Sequence, residues 1–185
     1  MSIYGAQHLA NAFRTVRKNT LQIAEEIPES RYEFEPADGV RTVRELLAHI
    51  AITPRLWLDI HQTKKLTDLN GYDFLAVRDE MITEQKKMRT KSEIIELLQT
   101  EGEKFATFLD GLSDEFLAQE MILPFGQGTR TRLEGLMSAK EHEMHHRGQL
   151  MLIERMVGIV PHLTRQFNER IAELEKSKAA VAQPA

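Results

Sequence analysis

The sequence contains no cysteine, which excludes disulfide bonds and any catalytic thiol supplied by the chain itself. Aromatic residues make up only 6% of the 185 residues, and a single tryptophan is present. No apolar run approaches the ~18 residues that a membrane-spanning helix needs, and the first residues lack the pattern of a secretory signal. We therefore expect a cytoplasmic protein without a membrane segment.

The charge balance does not favour a nucleic-acid partner. The formal net charge is -4, with 28% charged and 42% hydrophobic residues, a composition usual for a globular protein. Basic clusters occur at 86–91 and 130–132, but the chain as a whole lacks the positive charge that attracts a phosphate backbone. The length suits one domain, which we place at 1–176, followed by a disordered tail at 177–185.

The hydrophobic pattern is helical along most of the chain. Apolar residues recur at steps of three and four, which is typical of helices that bury one face. The pattern predicts helices over 6–27, from Thr42 onward with a bend at Pro54, over 90–109 and over 131–157. A further amphipathic helix carries Leu163 to Leu174. Long helices with one apolar stripe each bury it best against one another, so we predict an all-α four-helix bundle with an additional C-terminal helix.

Two connections interrupt this helical pattern. Residues 61–89 are polar, with a turn at Asn70-Gly71 and a short helix over 77–88, and we expect them to lie outside the core. Residues 113–130 hold one proline and two glycines around Met121-Ile122-Leu123, which indicates a short irregular hairpin.

Two histidines of the fourth predicted bundle helix, His142 and His146, stand four residues apart. Helical residues at this spacing lie one turn apart on one face, with Cβ atoms roughly 6 Å apart. The helical period places both on the buried stripe, where an imidazole without hydrogen-bond partners is costly. A metal ion would satisfy both, and His49, beside the apolar stripe of the second helix, could meet them in a bundle.

Other polar residues near these positions have weaker signals. Glu101 lies on the apolar stripe of the third helix, and Gln149 follows His146 by three residues, so either can orient a ligand imidazole or contact a substrate. We expect His145 to be exposed or hydrogen-bonded near the pair. The remaining histidines lack a partner pattern and are expected at the surface: His8, His61 and His162.

The run from His142 to His146 also matches the H-E-x-x-H pattern of zinc metalloproteases, in which Glu143 would act as the base. Glu169 and Glu173 are candidates for the third zinc ligand. Such proteases align a peptide along a sheet edge, and this chain has almost no strand pattern, which disfavours the protease interpretation. A metal-free core in which the histidines bond to one another is a further alternative.

The run Leu46-Leu47-Ala48-His49-Ile50 and the run His142-x-x-x-His146-Arg147-Gly148-Gln149-Leu150 together resemble the DinB family of four-helix-bundle proteins, including its YfiT-like relatives. The resemblance extends from the first helix to about Pro161. It implies that His49, His142 and His146 bind a divalent cation whose other positions are left to water or substrate, and that the protein is a homodimer. Neutral imidazoles suit zinc or nickel first, with iron as an alternative.

Three nitrogen ligands with an open position are typical of a catalytic metal centre. Family members with assigned activities resemble S-transferases that use low-molecular-weight thiols such as bacillithiol or mycothiol. Because this chain has no cysteine, a thiolate would have to come from such a cosubstrate. We predict a metal-dependent thiol S-transferase acting on a small electrophilic substrate. A metal-dependent hydrolase of the same fold and a non-catalytic metal-binding or ligand-binding bundle are the alternatives.

Overall fold

The computed structural model describes residues 4–181 and is built mainly from helices. In chain order the α-helices and β-strands are α1 (Ala6–Glu26), α2 (Val43–Ile52), α3 (Pro54–Leu58), α4 (Phe74–Gln85), α5 (Lys91–Asp110), α6 (Asp114–Ala118), β1 (Glu120–Ile122), β2 (Thr129–Thr131), α7 (Arg132–Met156) and α8 (His162–Val181). The predicted all-α bundle is confirmed. Its four long members are α1, the α2–α3 pair, α5 and α7.

The arrangement of these helices determines which side chains can meet. Both α1 and α2 pack against α5 and against α7, so α2 and α7 are neighbours although they are far apart in sequence. Ile23, Leu47, Leu98 and Leu150 come from the four different helices and are all buried in one core cluster. The bundle therefore brings His49 of α2 to the side of α7.

Helix starts and breaks follow the sequence signals. At Thr90 and at Thr131 the threonine hydroxyl accepts from the backbone N–H three residues on, and the glutamate there bonds back to the threonine N–H. Thr42 begins α2 in the same way. Pro54 cannot donate a backbone hydrogen bond, and α2 ends at Ile52 before α3 begins at that proline, as predicted.

A buried arginine joins all four bundle helices. Arg17 of α1 donates to both carboxylate oxygens of Glu143 on α7, with the shortest bonds at 2.9 Å, and also to the carbonyl oxygens of Leu98 and Ile50. Both charged side chains are almost fully buried. Gly102 leaves room for this arginine, because a Cβ there would lie 2.9 Å from its Cγ. The ion pair thus fixes the mutual position of helices that carry the histidines.

The connection between α3 and α5 differs from the prediction. Leu69 and Tyr72 are buried and form a small separate core with Ile60 and Met121. The backbone N–H of Leu69 donates to the carbonyl of Ile122, which ties the connection to the hairpin. The expectation that 61–89 lies outside the core is therefore wrong for these residues, and the helix there is α4, shifted three residues toward the N-terminus at both ends.

The hairpin predicted within 113–130 is confirmed, but it is shorter than that range, because Asp114–Ala118 form α6 and the strands begin at Glu120 and end at Thr131. Strands β1 and β2 are antiparallel, with Met121 opposite Arg130. Gly126 and Gly128 have φ values of +69° and +89° in the intervening loop, a region that favours glycine. The carbonyl of Gly128 accepts from Leu123 at 2.8 Å and closes the turn.

The C-terminal helix α8 contacts the bundle through its beginning. Pro161 and His162 are buried, and Arg165 forms an ion pair with Glu26 at 2.6 Å. Farther along, an apolar stripe is exposed at Phe167, Ile171 and Leu174. The predicted tail at 177–185 overlaps α8 as far as Val181, and 182–185 fall outside the described residues.

Across residues 4–181, no helix combines the length and the apolar character required to cross a bilayer.

Candidate metal centre

The three predicted ligands converge at the contact between α2 and α7. His49 lies near the end of α2, where its carbonyl oxygen accepts from the backbone N–H of Thr53 at 3.0 Å and from its hydroxyl at 2.6 Å. His142 and His146 lie one turn apart in the middle of α7. His146 is buried and the other two imidazoles are half-buried. The bundle therefore assembles the trio from two segments distant in sequence.

The ring nitrogens of these histidines face a common point. Nε2 of His142 lies 3.1 Å from Nε2 of His49 and 3.2 Å from Nε2 of His146. One potential ligand atom from each residue lies within 4.8 Å of the others. This histidine triad, His49, His142 and His146, is the one group of three or more potential ligands that converges in this way within the described part of the chain.

Hydrogen bonds satisfy this triad poorly. Nδ1 of His146 lies 2.7 Å from the side-chain oxygen of Gln149, an acceptor, so Nδ1 carries the proton and Nε2 of His146 presents a lone pair. Nε2 of His142 carries either one proton or one lone pair, and two other ring nitrogens lie close to it. One proton or one lone pair can point at only one of these nitrogens, so at most one of the two contacts is a linear hydrogen bond.

The surroundings keep the imidazoles neutral. Burial is the largest cause and lowers the pKa of His49 to about 3 and that of His142 to about 4, and the charge of Arg41 contributes in the same direction. Burial also lowers the pKa of His146, although its hydrogen bond to Gln149 opposes this. A metal ligand must be the neutral imidazole, so the triad is in the required state at neutral pH.

The donor geometry fits a divalent cation. Imidazole nitrogens bind zinc at about 2.1 Å, which puts two ligand nitrogens about 3.4 Å apart in a tetrahedral site and about 3.0 Å apart in an octahedral one. The observed separations of 3.1 and 3.2 Å fall between these values. A cation would also remove the conflict among the lone pairs. The triad can therefore hold one metal ion and leave coordination positions open.

Glutamine side chains hold two of the imidazoles. Gln149 accepts from His146 and donates its amide N–H toward Nε2 of His145 at 3.3 Å. Gln85, at the end of α4, interacts with the imidazole of His49 and accepts from Nε of Arg41 at 3.0 Å. Such outer partners fix the tautomer and ring orientation of metal-binding histidines. Gln149 had a sequence signal in its spacing, whereas Gln85 and Arg41 had none.

The H-E-x-x-H interpretation is wrong in its assignment of Glu143. Successive helical residues are rotated by ~100°, so Glu143 faces Arg17 in the core, away from the point where His142 meets His49. Glu169 and Glu173 are exposed on α8. The buried stripe of α7 also differs from the prediction, which placed His142 on it. In the structure Glu143 is 2% exposed, and the half-buried His142 lies at the edge of the stripe.

The other polar residues considered in the sequence lie in different environments. Glu101 is buried and accepts from Arg55 at 2.6 Å, so its contact with a ligand imidazole stays a prediction. His145 is exposed, as expected. The surface expectation is wrong for His61 and His162, which are 2% and 1% exposed. His61 lies 2.8 Å from the buried guanidinium of Arg132.

Comparisons with known proteins agree with this architecture. A model of the DinB superfamily matches residues 12–150. The uncharacterized protein YjoA of Bacillus subtilis is 26% identical over 154 residues, which cover 83% of this chain and 91% of that protein. Its crystal structure, described as that of a DinB-like protein, aligns with a TM-score of 0.59 at 25% identity, over 81% of this chain and 92% of its own.

A second solved structure has a similar fold at lower identity. YfiT from Bacillus subtilis aligns with a TM-score of 0.64 at 21% identity, over 86% of this chain and 91% of its own. It is described as a probable metal-dependent hydrolase with an unusual four-helix bundle topology. At this identity the likeness shows a shared fold.

Proposed function

The chain belongs to the DinB superfamily, and on that basis we propose that its histidine triad binds one divalent cation and serves as the centre of a thiol S-transferase for small electrophilic molecules. The observation that carries the proposal is the close approach of the Nε2 atoms of three neutral imidazoles, of whose two short contacts at most one is a linear hydrogen bond. Three nitrogen ligands with positions left open are typical of a catalytic site. Zinc or nickel suits this ligand set first, with iron as an alternative.

A bound divalent cation lowers the pKa of a thiol or a water molecule bound to it. The chain supplies the rest: three imidazoles as ligands, Gln149 and Gln85 to orient two of them, and packing that shields one side of the triad from water. Because no cysteine is present, the thiol is a low-molecular-weight cosubstrate. Its sulfur forms a bond to the electrophilic carbon, the leaving group departs with its bonding electrons, and the thiol proton passes to solvent.

A metal-dependent hydrolase is the second candidate. It is favoured by the description of YfiT, which shares the fold, as a probable metal-dependent hydrolase. The same triad would serve this reaction, with water in place of the thiol. A non-catalytic metal-binding bundle is the third candidate, and it shares the metal site but has no turnover.

Elemental analysis tests the metal site. We expect close to one metal ion per purified chain, and a loss of most of it in His49→Ala and in His146→Ala. His8→Ala is the matched control, because this exposed histidine of α1 lies outside the triad and contacts Gly5 and Tyr4. Stoichiometric metal that survives both triad substitutions would rule out this assignment.

Activity assays on the metal-loaded protein then separate the three candidates. Loss of free thiol, followed with glutathione, bacillithiol or mycothiol and an aryl halide electrophile, should occur faster with the wild type than with His142→Ala. Thiol-independent release of product from ester or amide substrates would instead indicate the hydrolase. Full metal occupancy with neither activity across such panels would favour the non-catalytic bundle.

We retain the predicted homodimer as a proposal. The exposed stripe of Phe167, Ile171 and Leu174 on α8 offers an apolar surface for self-association. Sedimentation equilibrium should give the mass of two chains, and Phe167→Glu should reduce it if this stripe forms the contact.

A further inference from the structure

A cavity of about 780 Å³ adjoins the histidine triad and is lined by residues from the loop before α2, from α4 and from α7. It reaches the triad at His146, and Gln149 lines it beside that residue. Leu152 and Met156 form an apolar part of its wall and are 61% and 50% exposed. Large apolar side chains left open beside a candidate metal centre suit a ligand with an apolar portion.

Arg41 is the charged group best placed to recognise a ligand in this cavity. It is half-buried in the lining, and its Nε–H donates to the side-chain oxygen of Gln85 at 3.0 Å, which anchors the guanidinium. Gln85 also interacts with the imidazole of His49, so one amide lies between this arginine and the triad. Among the described residues, Arg41 forms no ion pair, and its Nη groups have no hydrogen-bond acceptor.

The electrostatic environment of the cavity favours an anion. Lys86 also lines it, and the charge of Arg41 reaches all three imidazoles, where it adds to the effect of burial in lowering their pKa values. The cavity also contains the carboxylate of Glu45, which is used in the helix cap and accepts from the backbone N–H of Thr42 at 3.2 Å. A guanidinium with free Nη donors matches the two oxygens of a carboxylate, phosphate or sulfonate.

We propose that Arg41 binds the oxyanion of an amphiphilic small-molecule substrate, whose apolar part lies against Leu152 and Met156 and whose reacting group lies at the histidine triad. This inference rests on the proposed function, because it names the substrate class of the same site. It makes Arg41 a specificity-determining residue and predicts that neutral analogues of the substrate bind poorly.

Two fluorescent probes of similar shape test this proposal on the metal-loaded protein. Anilinonaphthalene sulfonate carries an oxyanion, and N-phenylnaphthylamine is neutral. We expect Arg41→Gln to weaken binding of the sulfonate roughly tenfold or more, because hydrogen bonds to charged groups contribute on that scale, and to leave binding of the neutral probe unchanged. Arg41→Lys, which keeps the charge without the planar fork, should give an intermediate loss.

Two further variants fix the location of the effect. Leu152→Glu places a carboxylate in the cavity wall and should also weaken binding of the sulfonate. Arg78→Gln is the matched control, because Arg78 is exposed on α4 and is paired with Asp79. Unchanged sulfonate affinity in Arg41→Gln, or an equal loss for both probes, would overturn the proposal.

Metal content, measured on the same samples, separates this proposal from the proposed function. Arg41→Gln should keep the metal stoichiometry of the wild type. If the probe test fails while the metal content is full, only the proposed anion site is rejected and the proposed function stands. Absence of metal from the wild type would instead remove the proposed function, and the substrate inference would fall with it.

Discussion

At the scale of single residues, Gln149 controls the geometry of the triad. Its side-chain oxygen fixes the proton of His146 on Nδ1 and leaves Nε2 free to bind a cation. We predict that Gln149→Leu weakens metal binding by roughly tenfold or more, the usual effect of losing such a partner. Competition against a fluorescent chelator measures it. Gln149→Glu keeps an acceptor and should retain affinity, and equal losses in both variants would contradict this role.

A second residue-scale prediction concerns Glu154, whose carboxylate is fully buried without a hydrogen-bond partner among the described residues. Burial, and then the nearby charge of Glu26, raises the pKa of Glu154 to about 7 from its usual value of 4.5. The folded state therefore holds this proton more tightly than the unfolded chain does. Its contribution to stability is complete below pH ~4.5 and is lost as the pH rises toward 7.

Urea unfolding at pH 5 and pH 8 checks this sign. The free energy of unfolding of the wild type should fall by about 2 kcal/mol more between these pH values than that of Glu154→Gln. Glu175→Gln, at an exposed position of α8, should behave as the wild type does. The same pH dependence in the wild type and in Glu154→Gln would show that another group is responsible.

The predictability of the site also differs from residue to residue. His142 and His146 were identifiable because four-residue spacing is a local property of a helix. The choice between His142 and Glu143 for the stripe centre was not, because neighbouring positions differ by ~100° and the partner Arg17 is 126 residues away. Gln85 could not be predicted for a similar reason, because its contact with His49 depends on where α4 packs.

At the scale of elements, the Arg17–Glu143 ion pair connects α1 to α7 beneath the metal centre. Removing one partner leaves a buried charge uncompensated, which typically costs about 3–5 kcal/mol. We predict that Arg17→Met lowers the free energy of unfolding by that amount, measured in urea. The exposed pair of Arg14 and Glu103 is the control, and Glu103→Gln should cost at most about 1 kcal/mol.

Gly102 offers an independent test of the packing around the Arg17–Glu143 ion pair. Alanine there would place its Cβ 2.9 Å from Cγ and Nη1 of Arg17 and should displace the arginine. Gly102→Ala should therefore destabilise the protein although alanine favours helices, whereas Gly148→Ala, where a Cβ meets nothing within 4 Å, should not. A neutral or stabilising Gly102→Ala would contradict the tight packing around Arg17.

The helices were predictable because apolar periodicity, capping residues and Pro54 act over a few neighbouring positions. The connection at 61–89 was not, because its order comes from nonlocal contacts: Leu69 bonds to Ile122, and Tyr72 donates to Asp59 at 2.8 Å. Because most residues of this connection are polar, the pattern did not indicate that Leu69 and Tyr72 are buried and anchor it.

At the scale of the whole molecule, metal binding should stabilise the fold, because the triad joins α2 to α7 and exists only in the folded state. At a free metal concentration of 100 times Kd the gain is about 2.7 kcal/mol, which raises Tm by roughly 5–10 °C for a chain of this size. Calorimetry with and without chelator measures this shift. His49→Ala should show almost no difference, and an equal shift in that variant would place the metal elsewhere.

The central claim is that one cation is held between α2 and α7 by His49, His142 and His146. Anomalous diffraction from crystals of the purified protein, recorded on both sides of the absorption edge of the metal found, tests it most directly. The account predicts one strong peak about 2.1 Å from all three Nε2 atoms. A peak elsewhere, or three imidazoles that bond to one another with no peak between them, would contradict it.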